Sequence, residues 1–305
     1  MNVLSLFDGI SCGMVALERA GIKVDKYYAS EIDKHAIAIS QKNYPNIIQV
    51  GDVRDIDATL YSDCELLIGG SPCQSFTFSG KREGMVTEEN IEITSLDQYL
   101  ELKNEGFDFK GQSYLFWEYV RLLKAIKPKY FLLENVKMAK KWERIITDAL
   151  GIEPIRINSS LLSAQRRDRL YWTNINAGAI DQPKELGILL KDIIREEDNN
   201  NYHLSAIHYK AFLKSYKWAP NDPNEKSKPL LASYYKQPPH CPYIPCMQSE
   251  SGYRMLSPVE CERLQTLPDG YTEGISKTQR YKCIGNGWTV DVVAYILSFI
   301  TKQND

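Results

Sequence analysis

Apolar residues in the first 176 positions fall into two alternating kinds of run. Short β-rich stretches at 3–6, 26–30, 47–50, 66–69 and 130–134 are separated by segments with apolar residues three and four apart, at 14–20, 34–43, 114–126 and 139–150. The 114–126 segment is strongly amphipathic and stops before Lys127-Pro128, where a helix should end. Strands alternating with helices predict a parallel sheet with helices on both faces. Ligands of such sheets bind beyond the carboxyl ends of the strands.

Two stretches break this rhythm. Residues 85–112 are polar and acid-rich without a clear period, and read as an insertion in a loop. From 177 to 252 the alternation stops, with runs such as Asn199-Asn200-Asn201 and Gln237-Pro238-Pro239, which predicts a small irregular lobe. Ser257-Pro258-Val259-Glu260 then looks like a helix start, with serine as cap, proline in the first turn and an acid at the positive end. Residues 289–300 read as a terminal amphipathic helix. The expected organisation is a catalytic-type α/β unit over 1–176, a lobe over 177–252, and a return to the first unit over 253–305.

Composition narrows the picture. A chain of 305 residues, 43% hydrophobic, has room for a large core plus a smaller lobe. Its formal charge of −2 excludes a generally basic polyanion binder but leaves room for a local basic cleft. No apolar run is long enough to span a bilayer, so no membrane contact is expected. The N-terminus enters a strand pattern without a basic region or cleavage site, which predicts no secretion signal. Seven irregularly spaced cysteines fit a reducing cytoplasm better than a disulfide framework.

The chemistry-bearing residues gather at strand ends. Phe7-Asp8-Gly9-Ile10-Ser11-Cys12-Gly13 joins the first strand to the first helix, either as an ordinary tight turn or as a place where a ligand approaches the backbone. It lacks the Gly-x-Gly-x-x-Gly spacing of dinucleotide sites. Glu31, ending the second strand, is placed to accept ribose hydroxyls, and Asp52, after the third, to hold an exocyclic amine; either acid alone could equally be a capping carboxylate. A glycine turn followed by two acids suits a nucleoside cofactor without a phosphate chain, such as S-adenosylmethionine. Gly69-Gly70-Ser71-Pro72-Cys73-Gln74 presents Cys73 on a rigid loop after the fourth strand. Cys12, Cys64, Cys261 and Cys283 are instead read as buried and inert, the commoner fate of a free thiol.

Glu134-Asn135-Val136 ends the next strand on the edge that carries Cys73. A carboxyl buried there would have a raised pKa, unless it serves as a helix cap or ion-pair partner. Gln165-Arg166-Arg167-Asp168-Arg169 precedes a strand over 170–173, and alternation sends Arg167 and Arg169 to one face and Arg166 to the other. His240, Cys241 and Cys246 lack a second ligand pair at zinc spacing, so no metal site is expected.

In this order the Phe-x-Gly turn, the Pro-Cys-Gln loop, Glu-Asn-Val, Gln-x-Arg-x-Arg, Arg254-Met255-Leu256-Ser257-Pro258-Val259-Glu260 and Gly285-Asn286-Gly287-Trp288 resemble the DNA cytosine-5 methyltransferases over nearly the whole chain. The resemblance implies a Rossmann-like class I methyltransferase sheet, S-adenosylmethionine as cofactor and a target-recognition lobe over 177–252. It implies methylation of carbon 5 of a flipped-out cytosine, with Cys73 attacking carbon 6 and Glu134 donating to N3. Arg167 would steady the base, and Pro72 and Asn135 would shape the pocket. Phe7, Asp8, Gly9, Gly13, Glu31, Ile32, Asp52, Val53, Pro72, Asn286 and Trp288 would line the cofactor site. DNA contacts are expected from Ser79, Lys81 and Arg82 in a loop over 75–84, from Gln165 and Arg169, and from Lys228, Ser233, Tyr234, Tyr235 and Lys236 in the lobe.

The chain departs from the family pattern in two places. Lys110-Gly111 stands where an arginine is usual, and Gly-Asn-Gly-Trp replaces Gly-Asn-Ser. The latter, with Phe-Asp-Gly-Ile, is similar to the animal de novo enzymes. A tRNA-methylating branch shares Pro-Cys-Gln, but its Cys-Phe-Thr tripeptide is missing here. A non-catalytic DNA-binding partner would normally have lost Cys73, Glu134 or Arg167, and a nicotinamide enzyme has no use for Pro-Cys-Gln. Without terminal extensions the chain reads as a stand-alone bacterial or phage enzyme, monomeric on duplex DNA and either paired with a cognate restriction endonuclease or an orphan.

Overall fold

The computed structural model describes residues 1–72, 84–215 and 219–302. Its centre is a seven-stranded sheet built from β1 (Asn2–Leu6), β2 (Lys26–Ser30), β3 (Ile48–Gln49), β4 (Leu66–Gly70), β5 (Tyr130–Val136), β6 (Ile155–Asn158) and β7 (Asp168–Thr173). The strand order is β3-β2-β1-β4-β5-β7-β6. The first five strands are parallel, and β7 runs antiparallel to both its neighbours. Val3, Leu4, Leu6, Leu66, Leu67 and Ile68 are fully buried whichever face they point to, which is why β1 and β4 read as continuous apolar runs rather than alternating ones.

Helices cover both faces. On one side α1 (Cys12–Arg19), α2 (Lys34–Asn43) and the C-terminal α9 (Val290–Lys302) form a core with Ile68, Leu132 and Ile157. Asp33 caps α2 by accepting from the backbone N–H groups of His35 and Ala36, at 2.9 and 3.4 Å. On the other side α3 (Leu96–Asn104), α4 (Phe116–Ile126) and α5 (Lys140–Leu150) enclose Leu67, Phe131 and Leu133. Helix α4 ends with Lys127 in a left-handed conformation, φ 52°, just before Pro128.

The expectation that 85–112 is a loop insertion is corrected. Met85, Ile93 and Tyr99 are fully buried in the second core, and Leu96, Tyr99 and Leu102 share the inward face of α3. A nine-residue helix with its apolar residues set among acids gives too short a periodic signal to stand out. Further elements outside the sequence expectations include the four-residue strand β6 and α8 (Lys277–Asn286), into which the Gly-Asn of the last motif is built.

A third core joins the irregular lobe to the segments that follow it. Leu190, Leu204, Phe212, Leu230, Tyr234 and Tyr243 pack with residues of α7 (Pro258–Leu264) and α8. The lobe itself carries α6 (Ala206–Phe212) and a hairpin of β8 (Tyr243–Pro245) and β9 (Tyr253–Met255). By packing, α7 and α8 therefore belong with the lobe as much as with the sheet. Ser257 and Glu260 form the reciprocal cap expected at the start of α7, with bonds of 3.2 and 2.7 Å. The same Glu260 carboxylate is held bidentately by Arg254, at 2.8 and 2.7 Å, with both side chains fully buried.

Removing one member of such a pair leaves the other charge buried and uncompensated, at a cost of about 3–5 kcal/mol. Urea unfolding of Arg254→Met should show a loss of that size. The double variant Arg254→Met/Glu260→Gln should lose less than the single one, and a single-variant loss below about 1 kcal/mol would contradict the burial.

Candidate active site

The carboxyl edge of the sheet collects Phe7, Glu31, Asp52, Pro72 and Glu134. Between β1 and α1 the chain makes a tight turn in which Phe7, Gly9 and Ser11 all have positive φ, at 56°, 60° and 58°. Phe7 and Ser11 are strained there, roughly 1–2 kcal/mol each, so the surroundings must impose the shape. They do so with several bonds. The Asp8 N–H donates to the Ser30 carbonyl at 3.0 Å, Gly9 N–H to Glu31 Oε2 at 2.8 Å, and the Tyr271 hydroxyl to the Ile10 carbonyl at 2.7 Å. The Asp8 carboxylate faces inward and accepts from Tyr27 Oη at 2.7 Å and Ser11 Oγ at 2.5 Å. Asp8 thus shapes the turn from below, its carboxylate held by Tyr27 and Ser11.

Glu31 follows β2. Its Oε1 accepts from the N–H groups of Ile32 and Asp33, at 2.7 and 2.8 Å, while Oε2 holds Gly9. Ile32 beside it is 64% exposed, an apolar side chain displayed at a strand end. Asp52 is clasped by Arg54: Oδ1 accepts from the backbone N–H at 2.9 Å and Nε at 3.0 Å, and Oδ2 from Nη2 at 2.6 Å. That clasp holds the Asp52 carboxyl below its ordinary pKa and leaves acceptor capacity on Oδ2. Val53 is buried behind it. Arg54 was not anticipated; its only signal is the Asp-x-Arg spacing, which an acid-capped turn folds back on itself.

The parallel register sets Gly70 of β4 beside Glu134 of β5, and the antiparallel register sets Glu134 opposite Tyr171 of β7. With a period of two, Arg169 emerges on the face that Glu134 uses. Its Nε lies 2.8 Å from Glu134 Oε1, and both side chains are largely buried. The other oxygen, Oε2, looks over Gly70. A β-carbon on Gly70 would sit 3.2 Å from it and 2.8 Å from Trp288 Nε1. The indole extends from there toward Gly13, whose own missing β-carbon leaves room for Ile68 and Tyr27. Glycines at 13 and 70 are thus required by close approach.

Asn135, 1% exposed, donates to the Ser71 carbonyl at 3.3 Å and to Ser71 Oγ at 3.0 Å. It therefore fixes the backbone just before Pro72. Cys73, Ser79, Lys81 and Arg82 lie outside the described residues. Cys12, Cys64, Cys241 and Cys283 are buried, and burial pushes each thiol up to about 12. Cys261 is raised further still by the same cause. These groups stay as thiols near neutrality.

The arginines divide differently from the expectation. Arg167 precedes β7, so strand alternation does not govern it. It is buried, with Nη1 donating to the Leu230 carbonyl at 2.8 Å and Nη2 to the carbonyls of Gly285 and Gly287 at 3.1 Å each. It ties the lobe to the end of α8 and does not pair with Glu134. Gly285 is pressed against the lobe backbone, where a β-carbon would lie 2.4 Å from Ala232 N. Asn286 is exposed at the last position of α8.

Gln165 and Tyr234, both expected as DNA contacts, point inward, whereas Lys228 is half-buried. Gln165 is fully buried, donating to the Leu264 carbonyl and Gln265 Oε1, both at 2.8 Å, and accepting from Leu230 N–H at 3.1 Å. Tyr234 is a core residue whose hydroxyl donates to the Pro242 carbonyl and accepts from Leu256 N–H. Lys228 donates to the Ala219 carbonyl, and burial lowers its ammonium pKa. The short turn Tyr234–Lys236 sends its first residue to the core, leaving Tyr235 and Lys236 exposed, with the ammonium 5.6 Å from the ring centre, and Ser233 half-buried beside them.

Burial raises the Asp8 pKa from 3.8 to about 6. An acid raised in the folded state binds more protons than the unfolded chain between those values, so folding stability falls as pH rises through that window, by on the order of 3 kcal/mol. Urea unfolding at pH 4 and pH 7 should show that extra loss in the native chain and not in Asp8→Asn. Equal pH dependence in both proteins would remove this role.

The family model of C-5 cytosine-specific DNA methylases matches residues 1–98, 101–149 and 159–302. Among curated relatives, the type II methyltransferase M.Bsp6I of Bacillus sp. (strain RFL6) is 25% identical, with 99% of each chain aligned. The orphan methyltransferase M.SPRI of Bacillus phage SPR is 30% identical over 77% of this chain and 50% of its own length. Among solved structures, the S. pombe Dnmt2 methyltransferase superposes with a TM-score of 0.73 at 17% identity, covering 100% of this chain and 99% of its own. A putative DNA modification methyltransferase encoded in an E. coli prophage gives a TM-score of 0.69 at 20% identity over the full length of both chains. The chain belongs to the C-5 cytosine-specific DNA methylase family, enzymes that transfer a methyl group from S-adenosylmethionine to carbon 5 of cytosine.

Proposed function

We propose that this chain methylates a flipped-out cytosine in duplex DNA through a covalent adduct on Cys73, with Glu134 and Arg169 as the acid–cation pair that holds the base. The Glu134–Arg169 pair beside Gly70 carries the reading. Gly70, which the register sets beside Glu134, stands three residues before Cys73 along the chain, and Asn135 anchors the intervening Ser71.

The cofactor-site residues fit S-adenosylmethionine by their donor set. Glu31 occupies the Gly9 N–H of the first turn, so a carboxylate sits where a dinucleotide site would offer bare N–H groups to a pyrophosphate. An acid at that point repels phosphates and suits a ribose diol and a cationic sulfonium. Ile32 offers an apolar face to adenine, Asp52 an acceptor for its amine, and Trp288 a wall between the cofactor and the base. Phe7, Gly9, Val53, Pro72 and Asn286 complete the site. When bound, the cofactor supplies an electrophilic methyl group.

The protein side of the reaction then follows. The Cys73 thiolate adds to carbon 6 of the ring while Glu134 gives a proton to N3, so the ring electrons are directed to carbon 5. Arg169 holds Oε1 and leaves Oε2 to meet the base. After carbon 5 is methylated, its proton passes to a solvent base, the electron pair expels the Cys73 thiolate, and N3 returns its proton to Glu134, which restores the aromatic ring. Extrusion of the base costs a few kcal/mol of stacking and pairing. Tyr235 and Lys236, with Ser233 and Lys228, are the lobe residues proposed to read the duplex, joined by Ser79, Lys81 and Arg82. The type II relatives support a companion endonuclease, and the bacterial and phage sources of the relatives support action in a bacterial cell.

Cys73→Ser should abolish methyl transfer to duplex DNA while S-adenosylhomocysteine still binds by calorimetry. DNA carrying 5-fluorocytosine should form a complex with the native chain that survives denaturing electrophoresis. Normal turnover of the serine variant, or no trapped complex, would overturn the adduct, and methylation of tRNA but not duplex DNA would assign an RNA substrate.

The two arginines separate by assay. Arg169→Gln should lower kcat by about a hundredfold, as loss of one preorganised donor does, with a smaller fall in the unfolding midpoint than Arg167→Gln shows. Arg167→Gln should lower the midpoint first. The reverse pattern would return the base-holding role to Arg167.

A further inference from the structure

We propose that helix α3, within residues 85–112, is a positioning element for the cofactor's base, acting through the buried carboxylate of Glu118. The proposal rests on the reading of Asp52 as a cofactor contact. Glu118 lies on α4 and is fully buried. Its Oε1 accepts from Tyr99 Oη at 2.6 Å and from Lys103 Nζ at 2.7 Å, both on α3. Its Oε2 accepts from Arg121 Nε at 2.6 Å. Arg121 in turn donates from Nη2 to the Val53 carbonyl and from Nη1 to the Ile56 carbonyl, both at 3.1 Å.

Those two carbonyls belong to the turn that begins at Asp52. A continuous set of charge-assisted bonds therefore runs from α3 through Glu118 and Arg121 to the backbone on which the Asp52 carboxylate is mounted. Arg54 clasps that carboxylate from the side, next to a cavity of about 480 Å³ lined by Arg54, Lys103, Tyr99 and Tyr114 among others. The guanidinium fork reaches two carbonyls only while Glu118 fixes its plane, and Glu118 is fixed by three donors, two of them from α3. Loosening α3 frees the turn, and small misplacements at a binding site are costly. Glu134 and Arg169, mounted on β5 and β7, are outside this set of bonds. The effect should therefore fall on cofactor affinity and leave the chemical step intact.

The test is calorimetry of S-adenosylhomocysteine with the full DNA-free chain, together with steady-state kinetics. Arg121→Lys keeps the charge but cannot span both carbonyls, and Tyr99→Phe/Lys103→Met removes only the α3 donors. Each should weaken binding about tenfold and raise the KM for S-adenosylmethionine equally, with kcat at saturating cofactor within about twofold and the KM for DNA unchanged. Asp52→Asn separates the two readings. If it weakens binding while the α3 and Arg121 variants do not, the positioning role falls and the cofactor site stands. If it has no effect, the cofactor reading of Asp52 falls, and this inference with it. A parallel fall in kcat and rise in the KM for DNA in the α3 variant would mark a general packing role and overturn the proposal.

Discussion

The pairing of β4 with β5, which sets Gly70 beside Glu134, is the constraint on which the site depends. Parallel strands bring their carboxyl ends to one edge, so a loop after β4 and an acid at the end of β5 become neighbours without any special device. The antiparallel β7 adds what a sixth parallel strand could not. Its amino end arrives at the same edge, and register with β5 carries Arg169 onto the Glu134 carboxylate. Glycine at 70 is then required, because any side chain there would occupy the space shared by the carboxylate and the Trp288 indole.

A second junction keeps the lobe in place over that edge. Arg167 spends its guanidinium on carbonyls from the lobe and from the end of α8, while Gly285 lets the lobe backbone lie directly on α8. Gln165 and Gln265 fill the remaining donors and acceptors between these layers. Polar groups buried at such density are stable only when each is satisfied, so this region is a rigid seam between cores and not a solvent-filled cleft. Residues that look like nucleic-acid contacts by type are consumed in holding the molecule together.

The sequence was informative wherever one chemical rule decides the outcome. Strand ends followed by glycine, acid or proline put Phe7, Glu31, Asp52, Pro72 and Glu134 at one edge, and the cap at Ser257 and Glu260 formed as its spacing required. It was less informative where choice depends on partners distant in the chain. Nothing local distinguishes Arg167 from Arg169: one meets carbonyls of residues 230, 285 and 287, the other a carboxylate at 134. Tyr234 and Tyr235 differ only in which side of a three-residue turn faces the third core. The helix at 96–104 was hidden because acids and lysine dilute its apolar face, although Leu96, Tyr99 and Leu102 are spaced for burial.

The acid at the first turn bears on which cofactors the fold admits. Open parallel sheets commonly receive phosphates at the first strand–helix turn through unbonded N–H groups. Here Glu31 takes up the Gly9 N–H and two of its own neighbours, so the turn presents negative charge where those sites present positive. The left-handed Phe7 and Ser11 make the same point in conformational terms. A turn that needed only flexibility would use glycine at each position, whereas this one holds two larger residues in a strained shape with Asp8, Ser30 and Tyr271 around them. Shape at this turn is thus imposed by bonds already satisfied within the protein and does not wait on a ligand to form.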